Sequence, residues 1–254
     1  MGKKLAFLYG IVCYVLFLGA FLYAIGFVEN FGVPKTLDSG QAGALLPSLL
    51  IDLLALGIFA IQHSVMARPV FKRLWTKVVP EPVERSTYVL FASAVLIAIF
   101  WLWRPLPGVV WSVEETGWAG MLTGLSFAGW GIVLVSTYMI SHTHLFGLKQ
   151  AYAHLRGESL KPPKFQVTGF YRYIRHPIMA GFLVAFWATP RMTVGHLLFA
   201  AATTGYILIA LQLEERDLLA HFGNRYRAYR EQVPKLVPLG RRWSPREGQA
   251  DGTA

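Results

Sequence analysis

Charge is scarce in this sequence. Only 15% of its 254 residues are Asp, Glu, Lys or Arg, against about a quarter in soluble domains. That scarcity argues against a free globular protein and for a membrane class. Acidic residues are scarcer still, 14 against 24 basic ones, for a net charge of +10. A basic soluble protein would suggest a nucleic-acid partner. Here the basic residues lie between apolar runs, so they read as membrane topology and no nucleic-acid partner is expected. Cysteine is nearly absent. The single Cys13 excludes a disulfide framework and a cysteine-based metal site, and inside an apolar run it reads as a small buried hydrophobe. No internal repeat stands out. A cleavable leader is not expected, because Leu5–Val28 is too long for the apolar region of one and carries no evident cleavage site.

Long apolar runs are what the sequence has in abundance, 54% of it being hydrophobic. A bilayer core of about 30 Å takes about 20 residues of helix. Leu5–Val28, Ala44–Met66, Thr87–Trp103 and Trp118–Ser141 meet that length or approach it. Two further runs follow a polar stretch, Ile178–Thr189 and Thr193–Leu213. The first is short, and Pro190–Arg191 after it reads as a tight helical-hairpin turn. The expected fold is an all-α integral membrane bundle of five or six transmembrane helices, with cytoplasmic segments capping a site. It forms one domain, with a four-span N-terminal part (1–141), a cofactor-binding half (142–240) and a disordered tail (244–254).

Basic residues favour the cytoplasmic side of a membrane. With Lys3 and Lys4 inside, loop 67–86, stretch 142–177 and everything after Glu214 also fall inside. Only Lys35, Arg104 and Arg191 remain outside, so 21 of the 24 basic residues share one face. The expected location is a bacterial inner membrane, multi-pass, with the active site toward the cytoplasm. Trp101, Trp103, Trp111 and Trp118 flank an outer loop as an aromatic belt would.

Two features on the inner side carry chemistry. Tyr171 to Pro177 (YRYIRHP) leads into the fifth apolar run, placing Arg175 and His176 at a helix start, where backbone N–H groups favour an anion. Glu214 and Glu215 stand where the sixth run ends, and carboxylates at a helix C-terminus want a cationic partner. Together they would suit a zwitterion with an added positive charge. Simple anchoring at the interface, with Glu214 and Glu215 paired to Arg216, accounts for the same residues equally well.

Beyond these physical arguments, YRYIRHPIMAG, an apolar helix, and LEERDLLAHFGNRYRAYREQVPKLVP resemble the isoprenylcysteine carboxyl methyltransferase superfamily. Its pattern is R-H-P-x-Y-x-G, then E-E-x-x-L, F-G-x-x-Y-x-x-Y and V-P, and the likeness covers about residues 164–238. IQHSVMARPVFKRLW and VPEPVERSTYVLF extend it to the NnrU-like branch and, within that, to the bacterial methanethiol S-methyltransferases. The resemblance implies an enzyme that methylates a small thiol with S-adenosyl-L-methionine, methanethiol giving dimethyl sulfide. It implies a cofactor shell of Gln150, Lys164, Phe165, Gln166, Val167, Gly169, Tyr171, Arg175, His176, Pro177, Gly181 and Glu214, with Met179 and Glu215 beside them. Two positions depart from the superfamily. Met179 stands in place of the motif tyrosine. Ala210 stands where carboxyl methyltransferases carry an Arg for their substrate's carboxylate, and a neutral thiol would not need that Arg.

A thiol attacks as thiolate, so a base is expected. His63, His142 and His144 end apolar runs at the right depth for one, and Tyr171 could position the thiol. Asp52 sits nearer mid-membrane and is expected to face the bundle interior, while His196, near the outer side, reads as structural. The same histidines leave two alternatives open. One is another thiol or a carboxyl substrate. The other is a haem-binding electron-transfer protein with two His ligands. A small transporter is disfavoured by the long inner segments. The expected partners are the thiol and the lipid bilayer; the oligomeric state is open.

Overall fold

The structure is a computed structural model that describes residues 2–160 and 165–244. Among the described residues, five helices are long and apolar enough to cross a membrane: α1 (Lys3–Glu29), α2 (Leu45–Ala67), α4 (Glu81–Leu102), α5 (Thr116–Ile140) and α9 (Val194–Phe222). Short helices α3 (Pro69–Trp75), α6 (His142–Leu145) and α7 (Leu148–Arg156) join them. The remaining apolar helix, α8 (Pro177–Trp187), has 11 residues. At 1.5 Å per residue it reaches about 16 Å, half the depth of a bilayer core. The all-α bundle expected from the sequence is therefore five full spans and one half-length helix.

Local chemistry sets the helix limits. Pro82 and Pro177 occupy first turns, where a missing N–H costs nothing. The Thr193 side chain caps α9 by accepting from the His196 N–H at 3.0 Å. Asn30 ends α1 at φ 58°.

α8 keeps its place through a close seam with α5. A Cβ on Gly181 would stand 2.7 Å from the Gly129 carbonyl oxygen, and one on Gly129 would stand 2.7 Å from that of Gly181. Only glycine lets these two backbones meet, the usual device for helices in lipid. The core beside this seam is aromatic: Phe27, Phe100, Trp103, Trp130, Phe186 and Phe199 are all buried.

Two findings differ from expectation. The chain after α8 does not turn tightly into α9. Residues Arg191–Thr193 form β2, which pairs antiparallel with β1 (Val109–Ser112) in the preceding outer loop. The second concerns α9, which continues two turns past the apolar run. The reason is that Leu218, Leu219 and Phe222 give the polar extension an apolar face, packed on Tyr226 and Tyr229 of α10 (Asn224–Gln232). Gly223, at φ 56°, then ends the helix. Glu214 and Glu215 thus lie inside a helix rather than at its C-terminus.

Candidate functional site

Lys3, the C-termini of α2 and α5, and the N-termini of α4 and α8 share one end of the bundle, here called the inner end. Every ion pair among the described residues is there. The centre of the cluster is Glu215, whose side chain is 7% exposed. Its Oε1 accepts from Arg175 Nε and Nη2, both at 2.8 Å, and lies 3.2 Å from His176 Nε2. Its Oε2 lies 3.4 Å from Lys235 Nζ. Arg175 Nη1 donates to the carbonyls of Arg230 and Val233. The backbone joins in: the Arg175 and His176 N–H groups donate to Pro234 and Lys235 carbonyls at 2.9 and 3.1 Å. The R-H and E-E elements of the sequence therefore meet, and they clasp the start of α8, the middle of α9 and the segment after α10 together.

Glu214 differs from its neighbour. Its side chain is 45% exposed, and among the described residues its ion-pair contact is a single one, 3.8 Å to His176 Nδ1. Tyr171 stands near it: burial pushes the Tyr171 hydroxyl well above its ordinary range, and the Glu214 charge adds to that. The Tyr171 carbonyl accepts from Tyr229 at 2.5 Å. One carboxylate is thus fully engaged and the other is open to a cation. That donor set fits the ammonium end of an amino-acid ligand.

The three candidate bases have different surroundings. His142 is buried, with Nε2 2.8 Å from Tyr14 Oη and Nδ1 2.8 Å from Thr137 Oγ1, so both ring nitrogens are taken by separate hydroxyls. His144 is half-buried, and its pKa is lowered by burial and then by the charges of Lys149, Arg85 and Lys72. His63 is half-buried and has one hydroxyl for two nitrogens: Tyr88 Oη lies 3.1 Å from Nδ1 and 3.0 Å from Nε2. A single hydroxyl serves one nitrogen at a time, which leaves the other for a further partner.

The other expected site residues fall in three groups. Phe165 and Val167 pack on the Tyr226, Tyr229 and Val233 cluster, while Gln166 is exposed. Gly169, at φ 49°, lies against Met139, where a Cβ would meet the sulfur. Pro177 and Gly181 are buried at the start of α8 and in its seam with α5, and Met179 between them is half-buried. Gln150 donates to the His144 carbonyl at 3.0 Å, and its own side-chain oxygen is buried with no partner among the described residues. Lys164, like residues 245–254 of the tail, lies outside the described residues.

Sequence reasoning did not single out Tyr88 of α4 or Tyr206 of α9, whose hydroxyl lies 3.4 Å from Ser64 Oγ. In apolar runs both look like lipid-facing aromatics. A polar atom one turn from Arg85 (Tyr88) or two turns from Glu214 (Tyr206) was the available signal.

Of the histidine and acid on the opposite side, His196 is buried with Nε2 2.8 Å from the Phe186 carbonyl. Asp52 is fully buried and accepts from the Arg104 N–H at 2.8 Å.

No family model and no solved structure matches the chain. Several curated proteins do. The chain is 53% identical to methanethiol S-methyltransferase 1 of Bradyrhizobium diazoefficiens, over 94% of this chain and 84% of that one. It is 52% identical to the methanethiol S-methyltransferase of Mycobacterium tuberculosis, over 94% and 98% of the two chains. A more distant likeness, at 29% identity, covers 83% of this chain and 79% of Nurim from Rattus norvegicus.

Proposed function

The chain belongs to the methanethiol S-methyltransferase family, and on that premise we propose that it moves a methyl group from S-adenosyl-L-methionine to methanethiol, giving dimethyl sulfide. The observation that carries the site assignment is the inequality of the two neighbouring carboxylates, 45% against 7% exposed. Glu214 accepts the donor's ammonium group. Glu215 does not touch the ligand; with Arg175, His176 and Lys235 it fixes the clasp from which Glu214 projects. Arg175 is engaged by Glu215 and two carbonyls, so its part is to hold this clasp rather than a ligand carboxylate. Tyr171, whose hydroxyl feels the Glu214 charge, stands on the ligand side of it, and Phe165, Val167 and Gly169 are assigned to the same donor site.

The donor supplies a methyl group on a sulfonium, whose bonding electrons stay with the departing sulfur. The chain's part is proton removal. A simple alkyl thiol is mostly protonated at neutral pH, and an apolar surrounding disfavours its anion further. His63, through the ring nitrogen that Tyr88 leaves open, takes the thiol proton as the new carbon–sulfur bond forms. His142 has no free nitrogen for that task. The inner end faces the cytoplasm of a bacterial inner membrane, which the charge pattern of the sequence supports, since all but three of the 24 basic residues fall in segments expected on that side. A reporter fused after Arg242 that works only in the periplasm would overturn that orientation.

The test of the site is methyl transfer from labelled donor to methanethiol by the purified protein in nanodiscs, together with donor affinity. Glu214→Gln should weaken donor binding by about 1–3 kcal/mol, the cost of a lost charged hydrogen bond, with the fold intact. Unchanged affinity in a folded variant removes Glu214 from the site.

A further inference from the structure

Four aromatic rings gather where α2, α4 and α9 meet at the inner end, and the ionic clasp does not account for them. Phe59 and His63, one turn apart on α2, stack with centroids 5.1 Å apart and 17° between planes. Tyr206 of α9 meets them edge-on, at 6.2 Å from Phe59 and 6.5 Å from His63. Tyr88 of α4 lies 5.3 Å from His63. The group is bordered by an ion pair that ties α2 to α9, Arg68 to Asp217 at 2.8 Å. A box of this kind suits a small, neutral, polarisable molecule: rings attract sulfur at about 5 Å, and one imidazole nitrogen can receive a proton.

Along α9 the box connects to the open carboxylate. Tyr206, Ala210 and Glu214 recur every fourth residue, so they share one side of the helix, spanning about 12 Å at 1.5 Å per residue. Their neighbours Ile207, Leu208, Ile209, Leu211 and Leu213 are bulky. Ala210 alone in this stretch is small, and it sits midway between the rings and the carboxylate. His63, Tyr206 and Ala210 each keep part of their surface accessible.

We propose that the alkyl thiol binds beside Ala210, with His63 facing its sulfur, and that Tyr206 and Phe59 close the far end so that Tyr206 sets the length of alkyl chain accepted. The Tyr206 hydroxyl accepts from Ser64 Oγ of α2 at 3.4 Å, which ties the ring to the helix that carries His63. This reading rests on the proposed thiol methylation and assigns the second half of the same site.

The experiment compares methanethiol with propanethiol, using kcat/KM for methyl transfer and, without any donor, the rise in Tm that each thiol gives the purified protein. Tyr206→Ala should move the kcat/KM preference toward propanethiol by about tenfold or more, the usual discrimination for added methylenes in an apolar pocket. It should also give propanethiol the larger Tm rise. Tyr206→Phe, which keeps the ring, should leave the preference for methanethiol in place. Ala210→Leu should raise KM for methanethiol at least tenfold with donor affinity unchanged. If Tyr206→Ala unfolds the protein, Tyr206→Leu and Ala210→Leu decide the matter. A preference within twofold of wild type in the folded variants, with methyl transfer persisting, overturns the proposal. Absence of transfer from wild type to either thiol overturns the family-based reading instead, and the donor-free Tm comparison then still decides whether thiols bind beside Ala210.

Discussion

The two ends of the bundle handle polar groups in opposite ways. At the outer end, charged and polar side chains bind backbone or neutral partners. Asp52 takes the Arg104 N–H, Lys35 donates to the Trp101 carbonyl, His196 meets the Phe186 carbonyl, and Glu29 accepts from Ser126 and Trp130. With the β1–β2 ribbon, these contacts tie loops to helix ends. At the inner end, charges meet charges, and all the ion pairs of the described residues collect there. The difference teaches where to look for chemistry. A charge satisfied by backbone is part of the scaffold, whereas a cluster of ionic groups that leaves one carboxylate half open has capacity for a ligand.

The comparison breaks most visibly at Glu215. Removing it leaves Arg175, His176 and Lys235 around a vacated centre, with Arg175 buried. Truncating one partner of a buried ionic cluster costs about 3–5 kcal/mol. Glu215→Ala should therefore lower thermal stability in detergent far more than Glu214→Gln does. Equal losses in the two variants would erase the distinction between the clasp and the open carboxylate.

Next in size is the seam that carries α8. Gly181→Ala puts a methyl group 2.7 Å from a backbone oxygen that cannot rotate away. Such overpacking costs about 1–3 kcal/mol. Gly131→Ala makes a control on the same partner helix, since nothing lies within 4 Å of its Cβ position, and it should be neutral or slightly stabilising. Melting temperatures of the two variants check this directly.

At the outer end, Asp52→Asn keeps an oxygen for the Arg104 N–H. The expected loss is about 0.5–1.5 kcal/mol of stability, with methyl transfer at the wild-type rate. A drop in donor affinity on this substitution would couple the two ends and spoil the contrast between them.

Much of this architecture was legible in the sequence. The span limits follow from apolar length, and Lys35, Arg104 and Arg191 stand at the end opposite Lys3, as their isolation suggested. The meeting of Arg175 and His176 with Glu214 and Glu215 was also legible, because α8 and α9 are joined by a short connection. What the sequence did not separate is Glu214 from Glu215. Adjacent residues on a helix point about 100° apart, and which of them faces Arg175 depends on how α9 is rotated, which is a tertiary property. The β1–β2 ribbon escaped for a similar reason, since β2 has only three residues and exists because β1 lies beside it. His142 and His63 looked alike as helix-ending histidines. Their difference rests on Tyr14, Thr137 and Tyr88, one of which lies 128 residues away in the chain.

The smallest expected effect on stability separates those two histidines by pH. Burial lowers the His142 pKa from its ordinary value near 6.5. A histidine that binds its proton less well folded than unfolded contributes stability fully above the unfolded value. That contribution is lost as pH falls through about 6.5 toward the depressed folded value. The groups around His142 soften the loss. The Tyr14 and Thr137 hydroxyls at 2.8 Å can both turn to accept from a doubly protonated ring. Tyr138, stacked on it at 4.3 Å and 6°, offers the cation an aromatic face. Burial alone therefore drives the effect. The stability of the wild-type protein in detergent should decline below pH 6.5, and His142→Asn should flatten that decline while preserving methyl transfer at neutral pH. His63→Ala should do the reverse, costing about 10²–10⁴ in rate, with the loss shrinking as pH rises toward the pKa of the thiol itself. A His142 variant that loses transfer while keeping its fold would hand the proton-accepting task to His142 and leave His63 as the structural histidine.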